Sequence, residues 1–342
     1  MALLGELPKA MNLRQSQQTL SSDETAPGVP FTKHESGVIK LESVGKSRMS
    51  RTTRTASAWQ WSDFATAYMK DYEARKAATY PTTDSVSPKE YSRWLESLRP
   101  IEYASAQRVS ESGFFRGVHL DNAVSVIQDG LGSGGLRLRD GWLNLLGLFL
   151  QGGRDDAPDG SCLTIISVNW STSFIRSSLY HAIDGLTHLR EDLKMNLIGL
   201  VQGMVIRSNE IEGIVDPEGS SGRLIGEVRT AQDKAKQMDA ARASLAGIST
   251  SRDDWAPLTV YVGDSATDHD CLRRADVGIW MCDCSPSEVK QRFVKAFRPL
   301  DVSSDIPRSV TEASGVDQRG WCVWARDLQE VADFLVRLEG MP

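Results

Sequence analysis

The stretch LTVYVGDSATDHDCL (residues 258–272) combines the pattern of a buried strand with two carboxylates at its end. An apolar run leads into Gly263-Asp264-Ser265, Asp268 follows four residues after Asp264, and a helical pattern comes next. Short apolar runs bounded by turn residues are typical of strands buried on both faces. Carboxylates at positions i and i+4 are hard oxygen ligands of the kind that Mg²⁺ accepts, usually with waters and phosphate completing its shell. The stretch therefore predicts a buried strand that ends at a candidate metal site formed by Asp264 and Asp268.

Strand and helix patterns alternate on both sides of this stretch. Apolar runs predict further strands within residues 162–170, 203–213 and 276–283. Helical patterns lie between them, and a closing helix ends at Gly340. Strands that alternate with helices predict a parallel sheet covered on both faces, and ligands of such sheets bind at the carboxyl ends of the strands.

Residues 59–130 have a helical pattern without strands. Phe64, Tyr68 and Tyr72 recur every four residues and so share one helix face. Ser87-Pro88 is typical of a helix start, because Ser caps the first turn and Pro fits its first position. The segment predicts a small all-helical unit in which the aromatic stripe is core rather than a ligand box.

Residues 1–58 are polar and lack a sustained helical or strand period. Their segment KSRMSRTTRTAS (46–57) carries four positive charges and no negative one, as a transit peptide or a basic contact arm would. Transit peptides are usually poor in acidic residues. The acidic residues of this region, which favour a solvated tail instead, are Glu6, Asp23, Glu24, Glu35 and Glu42.

Composition excludes several classes of protein. The chain of 342 residues has a net charge of −6 and a pI of about 5.5, which argues against a nucleic-acid binder. No apolar run approaches the roughly 18 residues of a membrane span. The five cysteines are odd in number and unevenly spaced, and the pair Cys282 and Cys284 lacks two nearby partners for zinc. We expect a reducing, cytoplasmic setting; nothing in the sequence indicates the oligomeric state.

Two further polar residues are candidates for the same site as Asp264 and Asp268. Ser167 ends the predicted strand 163–167, and Lys234 lies on the helix between that strand and Asp264. In a parallel sheet Ser167 and Asp264 would leave at the same edge. A lysine supplies a point charge for phosphate and a hydroxyl supplies one hydrogen bond. Taken alone, Ser167 also fits an ordinary turn serine and Lys234 a solvated lysine. The prediction of a shared site therefore depends on the combination of these residues on alternating strands and helices.

In this order the residues resemble the motifs of the haloacid dehalogenase (HAD) superfamily, in particular its phosphoserine-phosphatase-like branch with a helical cap. Ser167, at the end of LTIIS, matches the second motif. Lys234 matches the third, with Lys236 as a weaker substitute. Asp264 and Asp268 in VGDSATD match the fourth motif, which is fairly specific; the second and third match by position and order.

The resemblance covers about residues 59–340 and implies a fold. It implies an α/β protein with a three-layer Rossmann-like parallel sheet at 131–342 and a small helical cap at 59–130. Residues 1–58 are then a disordered tail or the product of an incorrect gene prediction.

The resemblance also implies phosphoryl transfer from a small phosphorylated metabolite. An aspartate attacks phosphorus in line, while Mg²⁺ and the lysine neutralise the developing charge. A second aspartate, two residues later, serves as general acid and base. In this family both belong to a first motif, an apolar strand that ends in D-x-D-x-T and lies in the centre of the sheet.

No D-x-D-x-T occurs in the sequence. Before residue 59 the single aspartate, Asp23, follows no apolar strand, and the strand-like segment 37–43 has Lys40 in its middle and no aspartate at its end. An unfilled central position would orphan backbone groups at about 1–3 kcal/mol each. Either the gene prediction lacks its true first exon, or the chain is a pseudoenzyme that binds phosphate or metal without turnover. Both explanations predict little or no phosphatase activity for the chain as written.

A rival interpretation makes Ser265 of Gly-Asp-Ser an esterase nucleophile. It needs a base, and His269 is the one histidine that follows Ser265. A helix would direct a residue four positions on elsewhere, so this interpretation is the weaker one. A non-catalytic binding module is the stronger rival.

Overall fold

In the computed structural model the described residues are 2–5, 61–81, 87–151, 162–246, 258–297, 308–313 and 321–339. They form an α/β fold in which helices alternate with parallel strands. The helices of this part of the chain, α1 to α11, are Trp61–Thr79, Pro88–Ser97, Arg99–Ser112, Leu120–Ser133, Trp142–Gln151, Thr172–Asp184, Glu191–Gly203, Ala231–Ala246, His269–Arg274, Val289–Ala296 and Leu328–Glu339. The strands, β1 to β8, are Ala2–Gly5, Cys162–Ile166, Val205–Arg207, Glu210–Ile211, Leu224–Ile225, Thr259–Gly263, Val277–Met281 and Trp321–Ala325.

Among the described residues, six strands form one sheet in the order β3-β2-β1-β6-β7-β8, and every neighbouring pair is parallel. β1 is a central strand, with Ala2 opposite Cys162 on one side and Thr259 on the other. β4 and β5 form a separate antiparallel pair. The carboxyl ends of β2, β1 and β6 therefore meet at one edge of the sheet.

The central position between β2 and β6 is filled by Ala2–Gly5. The expectation that residues 1–58 form a tail is therefore wrong for these four residues, and the central slot is not empty. Pairing on both sides satisfies the backbone groups that an empty slot would orphan. The alternative candidate, residues 37–43, lies outside the described residues, as does the rest of 6–60.

Alternate residues of the strands belong to hydrophobic clusters on the two faces of the sheet, because successive strand side chains point in opposite directions. Ile165 and Val262 join one cluster with residues of α5, α6, α7 and α11. Ile166, Tyr261 and Trp280 join another with residues of α2, α8 and α9. Burial on both faces explains why these strands are nearly continuous apolar runs.

The helix α2 begins as the sequence predicts. The Ser87 hydroxyl accepts a hydrogen bond from Glu90 N at 3.3 Å, and the Glu90 carboxylate accepts one from Ser87 N at 2.9 Å. Trp94 of this helix belongs to the same cluster as the sheet residues, and α4 packs against α6. The division into a cap at 59–130 and a core at 131–342 stays a prediction, since α2 and α4 both pack against helices or strands of the latter range.

The most apolar helix is α5, which has ten residues and buries Leu145 and Leu146 in the cluster that contains Ile165 and Val262. Throughout the described part of the chain, no helix combines the length and the apolar character needed to cross a membrane.

Candidate functional site

Two of the predicted site residues directly follow the strands that flank β1. Ser167 follows β2 and Asp264 follows β6, so both lie at the carboxyl edge of the sheet. Ser167 is fully buried, and its hydroxyl accepts a hydrogen bond from Asn169 N at 2.9 Å. Its own N–H donates to the carbonyl of Arg207 at 3.0 Å, which extends the pairing with β3 by one residue.

Asp268 lies at the end of a short 3₁₀ turn, Ala266–Asp268, and accepts five hydrogen bonds. Its Oδ1 accepts from Lys234 Nζ at 2.9 Å and from Tyr261 OH at 2.7 Å. Its Oδ2 accepts from the N–H groups of Asp264 and Ser265, at 3.2 and 3.0 Å, and from the Ser265 hydroxyl at 2.8 Å. A carboxylate has about four lone-pair sites, so these donors occupy its acceptor capacity. Asp268 therefore fixes the turn after β6 rather than offering free oxygens.

Gly263 is required by the close approach of this carboxylate. A Cβ at residue 263 would lie 2.5 Å from the Asp268 Cγ and 2.6 Å from its Cβ. No side chain fits at that distance, so the Gly-Asp-Ser sequence follows from the way Asp268 folds back over the strand end.

Lys234 is placed by the capped start of α8. The Asp233 carboxylate accepts a hydrogen bond from Thr230 N at 3.1 Å, and the Thr230 hydroxyl accepts one from Asp233 N at 3.2 Å. Arg99 adds an ion pair to Asp233 at 2.7 Å. The side chain of Lys234 is fully buried and reaches Asp268, which joins α8 to the turn after β6. The structure thus brings Lys234, Asp268 and the N–H of Asp264 together.

Asp264 pairs with an arginine that the sequence analysis did not single out. Arg139 Nη2 lies 3.1 Å from Asp264 Oδ2, and Arg139 Nη1 lies 3.9 Å from Asp283 Oδ2. The side chains of Arg139 and Asp264 are 8% and 18% exposed, so the pair is only partly screened by water. A local motif could not have indicated Arg139, because it lies far from Asp264 in sequence and in a loop before α5.

The described donor set does not fit Mg²⁺. Within the described ranges, no three His, Cys, Asp or Glu side chains are grouped so as to hold a metal ion. Of the two predicted ligands, Asp268 already accepts five hydrogen bonds and Asp264 already faces a guanidinium group. Mg²⁺ demands near-octahedral oxygen ligation and is usually held through one or two carboxylates. The magnesium site stays a prediction that these residues alone do not complete.

The polar segment after β3, which includes Glu210 at the start of β4, makes many contacts within the fold. The Glu210 carboxylate accepts hydrogen bonds from the hydroxyls of Ser171 and Ser173, at 2.5 and 2.7 Å, and from Ser173 N at 2.9 Å. Asn209, buried to 1% exposure, donates to the carbonyls of Asn169 and Val228. These contacts tie the segment to the start of α6 and to the stretch before α8.

His269 and Asp270 connect α9 to α2. His269 Nδ1 lies 3.0 Å from Asp270 Oδ1, and the Ser92 hydroxyl donates to the same carboxylate oxygen. Burial raises the pKa of Asp270, but the hydrogen bonds from His269 and Ser92, together with the electrostatic contributions of His269 and Arg274, outweigh burial and leave the pKa below its ordinary value. The Ser265 hydroxyl instead bonds Asp268 and Thr267. Ser265 therefore has the contacts of a cap, and His269 those of a helix-to-helix contact.

No protein-family model matches the chain. The chain is 26% identical over 226 residues to CTO1 family protein C17G9.12c of Schizosaccharomyces pombe. The matched residues make up 65% of this chain and 71% of that protein. It is 26% identical over 207 residues to Bifunctional TH2 protein, mitochondrial, of Arabidopsis thaliana. That match covers 60% of this chain and 28% of the plant protein. These similarities are distant, and membership of the HAD superfamily remains a prediction.

Proposed function

We propose that the chain has a three-layer, HAD-like core and binds a small phosphorylated metabolite at the carboxyl edge of its sheet, with little or no turnover. Ser167 would supply a hydrogen bond and Lys234 a positive charge to the phosphate. Asp264 and Asp268 would form the acidic side of the site. The chain also lacks the D-x-D-x-T sequence that would supply a nucleophile and an acid/base group.

One relationship carries this proposal. Ser167 and Asp264 follow the two strands that flank the central strand β1, and the Lys234–Asp268 pair closes the turn after β6. Parallel α/β sheets bind ligands at the carboxyl ends of their strands. The chain order Ser167, Lys234, Asp264 and Asp268 supports the same interpretation, because it is the order of the motifs that the sequence resembles.

Phosphate binding tests the proposal directly. Titration with inorganic phosphate, followed by calorimetry, should show binding to the full chain. Ser167→Ala should weaken binding by roughly tenfold, because a hydrogen bond to a charged group is lost. Ser178→Ala is the matched control, since Ser178 is equally buried but donates within α6, to the carbonyl of Phe174 at 2.9 Å. Absence of phosphate binding, or equal binding by the two variants, would refute the proposed site.

Hydrolysis separates the two candidate functions. The pseudoenzyme interpretation expects no release of nitrophenol from p-nitrophenyl phosphate, with or without Mg²⁺. The second candidate, a Mg²⁺-dependent phosphomonoester hydrolase, expects release that Asp264→Asn abolishes. The full commitment of both Asp268 oxygens favours the pseudoenzyme, because one predicted metal ligand is already satisfied by the protein.

A further inference from the structure

Arg139 lies where the ends of two neighbouring strands come together. Asp264 follows β6, and Asp283 comes two residues after β7, which pairs with β6 in parallel. The guanidinium group reaches Asp264 at 3.1 Å and approaches Asp283 at 3.9 Å. Asp283 is 62% exposed, so the partly buried contact with Asp264 is the stronger of the two. One cation thus sits beside the carboxylate that the predicted metal site requires.

The loop that carries Arg139 is fixed against α11. The carbonyl of Asp140 accepts a hydrogen bond from Leu328 N at 2.8 Å, and the carbonyl of Arg139 accepts one from Trp142 N at 3.2 Å. Gly141 has φ +81°, and a Cβ there would lie 1.9 Å from the backbone N of Gln329. The loop therefore lies directly on the start of that helix. Arg139 extends from an anchored backbone, and its side chain is only 8% exposed where it meets Asp264.

A divalent cation and this guanidinium group compete for the same carboxylate. Asp264 Oδ2 already accepts from Arg139 Nη2, and Asp268 accepts five other hydrogen bonds. A metal ion at Asp264 would also meet the repulsion of a fixed positive charge a few ångströms away. An ion that takes Asp264 Oδ2 must therefore displace Arg139 Nη2.

We propose that Arg139 is the resident cation of this site and keeps divalent metal ions from the Asp264 carboxylate. The positive charge that a HAD-like site would take from Mg²⁺ is then supplied by the chain itself. This deepens the proposed function, because it rests on that edge of the sheet being the ligand site. Its test measures cation binding alone and so remains informative if phosphate does not bind.

Mn²⁺ titration of the full chain, followed by the electron paramagnetic resonance signal of the free ion, tests the inference. We expect weak binding by the wild type and at least about tenfold tighter binding by Arg139→Gln, equal to about 1.4 kcal/mol. Addition of Asp264→Asn to that variant should remove the gain. Arg137→Gln is the matched control, because Arg137 is exposed and lies on the same loop. It should bind Mn²⁺ as the wild type does.

A second variant keeps the inference testable if Arg139→Gln fails to fold. Arg139→Lys keeps the charge but replaces the planar fork with a shorter point charge, so its Mn²⁺ affinity should be intermediate. The inference is overturned if Arg139→Gln, or Arg139→Lys in its place, binds Mn²⁺ no more tightly than the wild type. It is also overturned if the gain survives Asp264→Asn, since the ion would then bind elsewhere.

Discussion

Lys234 Nζ lies 2.9 Å from Asp268 Oδ1, and neither side chain is exposed to solvent. The pair joins helix α8 to the turn after β6, and Tyr261 donates to the same oxygen from within the strand. Both charges have left water, which costs several kcal/mol for each ion before their attraction offsets it. Such a pair is stable only while both partners are present.

Removal of the lysine alone should therefore destabilise the protein strongly. Lys234→Met leaves Asp268 as a buried charge without its cation, and we expect a loss of about 3–5 kcal/mol in the free energy of unfolding. Urea denaturation measures this loss. Lys236→Met is the control, because Lys236 is exposed on the same helix and its replacement should change stability by no more than about 0.5 kcal/mol. Equal effects of the two substitutions would contradict the burial of the pair.

The central strand predicts that a proline will be poorly tolerated at residue 4. Leu4 is in register with Thr164 on one side and Tyr261 on the other. Leu4→Pro removes a backbone donor from a strand paired on both sides, at about 1–3 kcal/mol for each polar group left unpaired. Leu4→Ala shortens the side chain but keeps the donor. Thermal denaturation should show the proline variant to be the less stable; equal melting of the two would mean that Ala2–Gly5 is not a sheet strand.

Gly141 should be the least replaceable glycine of the loop that carries Arg139. Its positive φ alone costs another residue about 1–2 kcal/mol, and a Cβ would overlap the backbone of Gln329. Gly141→Ala should therefore lower the melting temperature markedly. Gly147→Ala, within α5 and with open space around it, should instead stabilise the protein by about 0.5–1 kcal/mol. A Gly141→Ala variant as stable as the wild type would show that this loop does not lie on α11.

The Ser92–Asp270 contact predicts a pH-dependent contribution to stability. The pKa of Asp270 is lowered in the folded protein, so its contribution is present above the unfolded value of about 3.9 and is lost as pH falls through the folded value. Ser92→Ala removes one donor and should cost about 1.5–3 kcal/mol at neutral pH. The difference from the wild type should narrow below about pH 4.

Ser97→Ala serves as the control for that measurement. Its hydroxyl donates to the carbonyl of Trp94, at 2.7 Å, and not to a carboxylate. Its cost should therefore be independent of pH. A pH-independent cost for Ser92→Ala as well would contradict the assigned contact.

Most of the α/β pattern was readable from periodicity and turn residues. The strand ending at Gly263, the helix start at Ser87 and the closing helix all follow such local signals. The strand Ala2–Gly5 was missed because four residues are too few to establish a period, and its pairing depends on β2 and β6, which are distant in sequence. Local patterns report local structure, whereas this strand is defined by its partners.

The candidate site was likewise only partly predictable from the sequence. Asp264, Asp268 and Lys234 were found by spacing and order, and the structure brings them together. Arg139 was missed because it is distant in sequence from Asp264, and Tyr261 was missed because its place within a buried strand indicates a core residue rather than a donor to Asp268. Sequence spacing therefore indicated the acidic side of the site but not the groups that neutralise and orient it.

The position of β1 has a consequence for synthesis on the ribosome. Ala2 pairs with Cys162 and with Thr259. β1 is translated before both of its partner strands and cannot pair with them until they have been synthesised. Until residues 259–263 emerge, β1 can be paired on one side at most, and it presents an open strand edge that is prone to wrong association. Pairings between such distant segments also form slowly, because the chain between them must first be closed into a loop. Until residue 263 has been translated, this edge therefore stays open to wrong association or to chaperone binding.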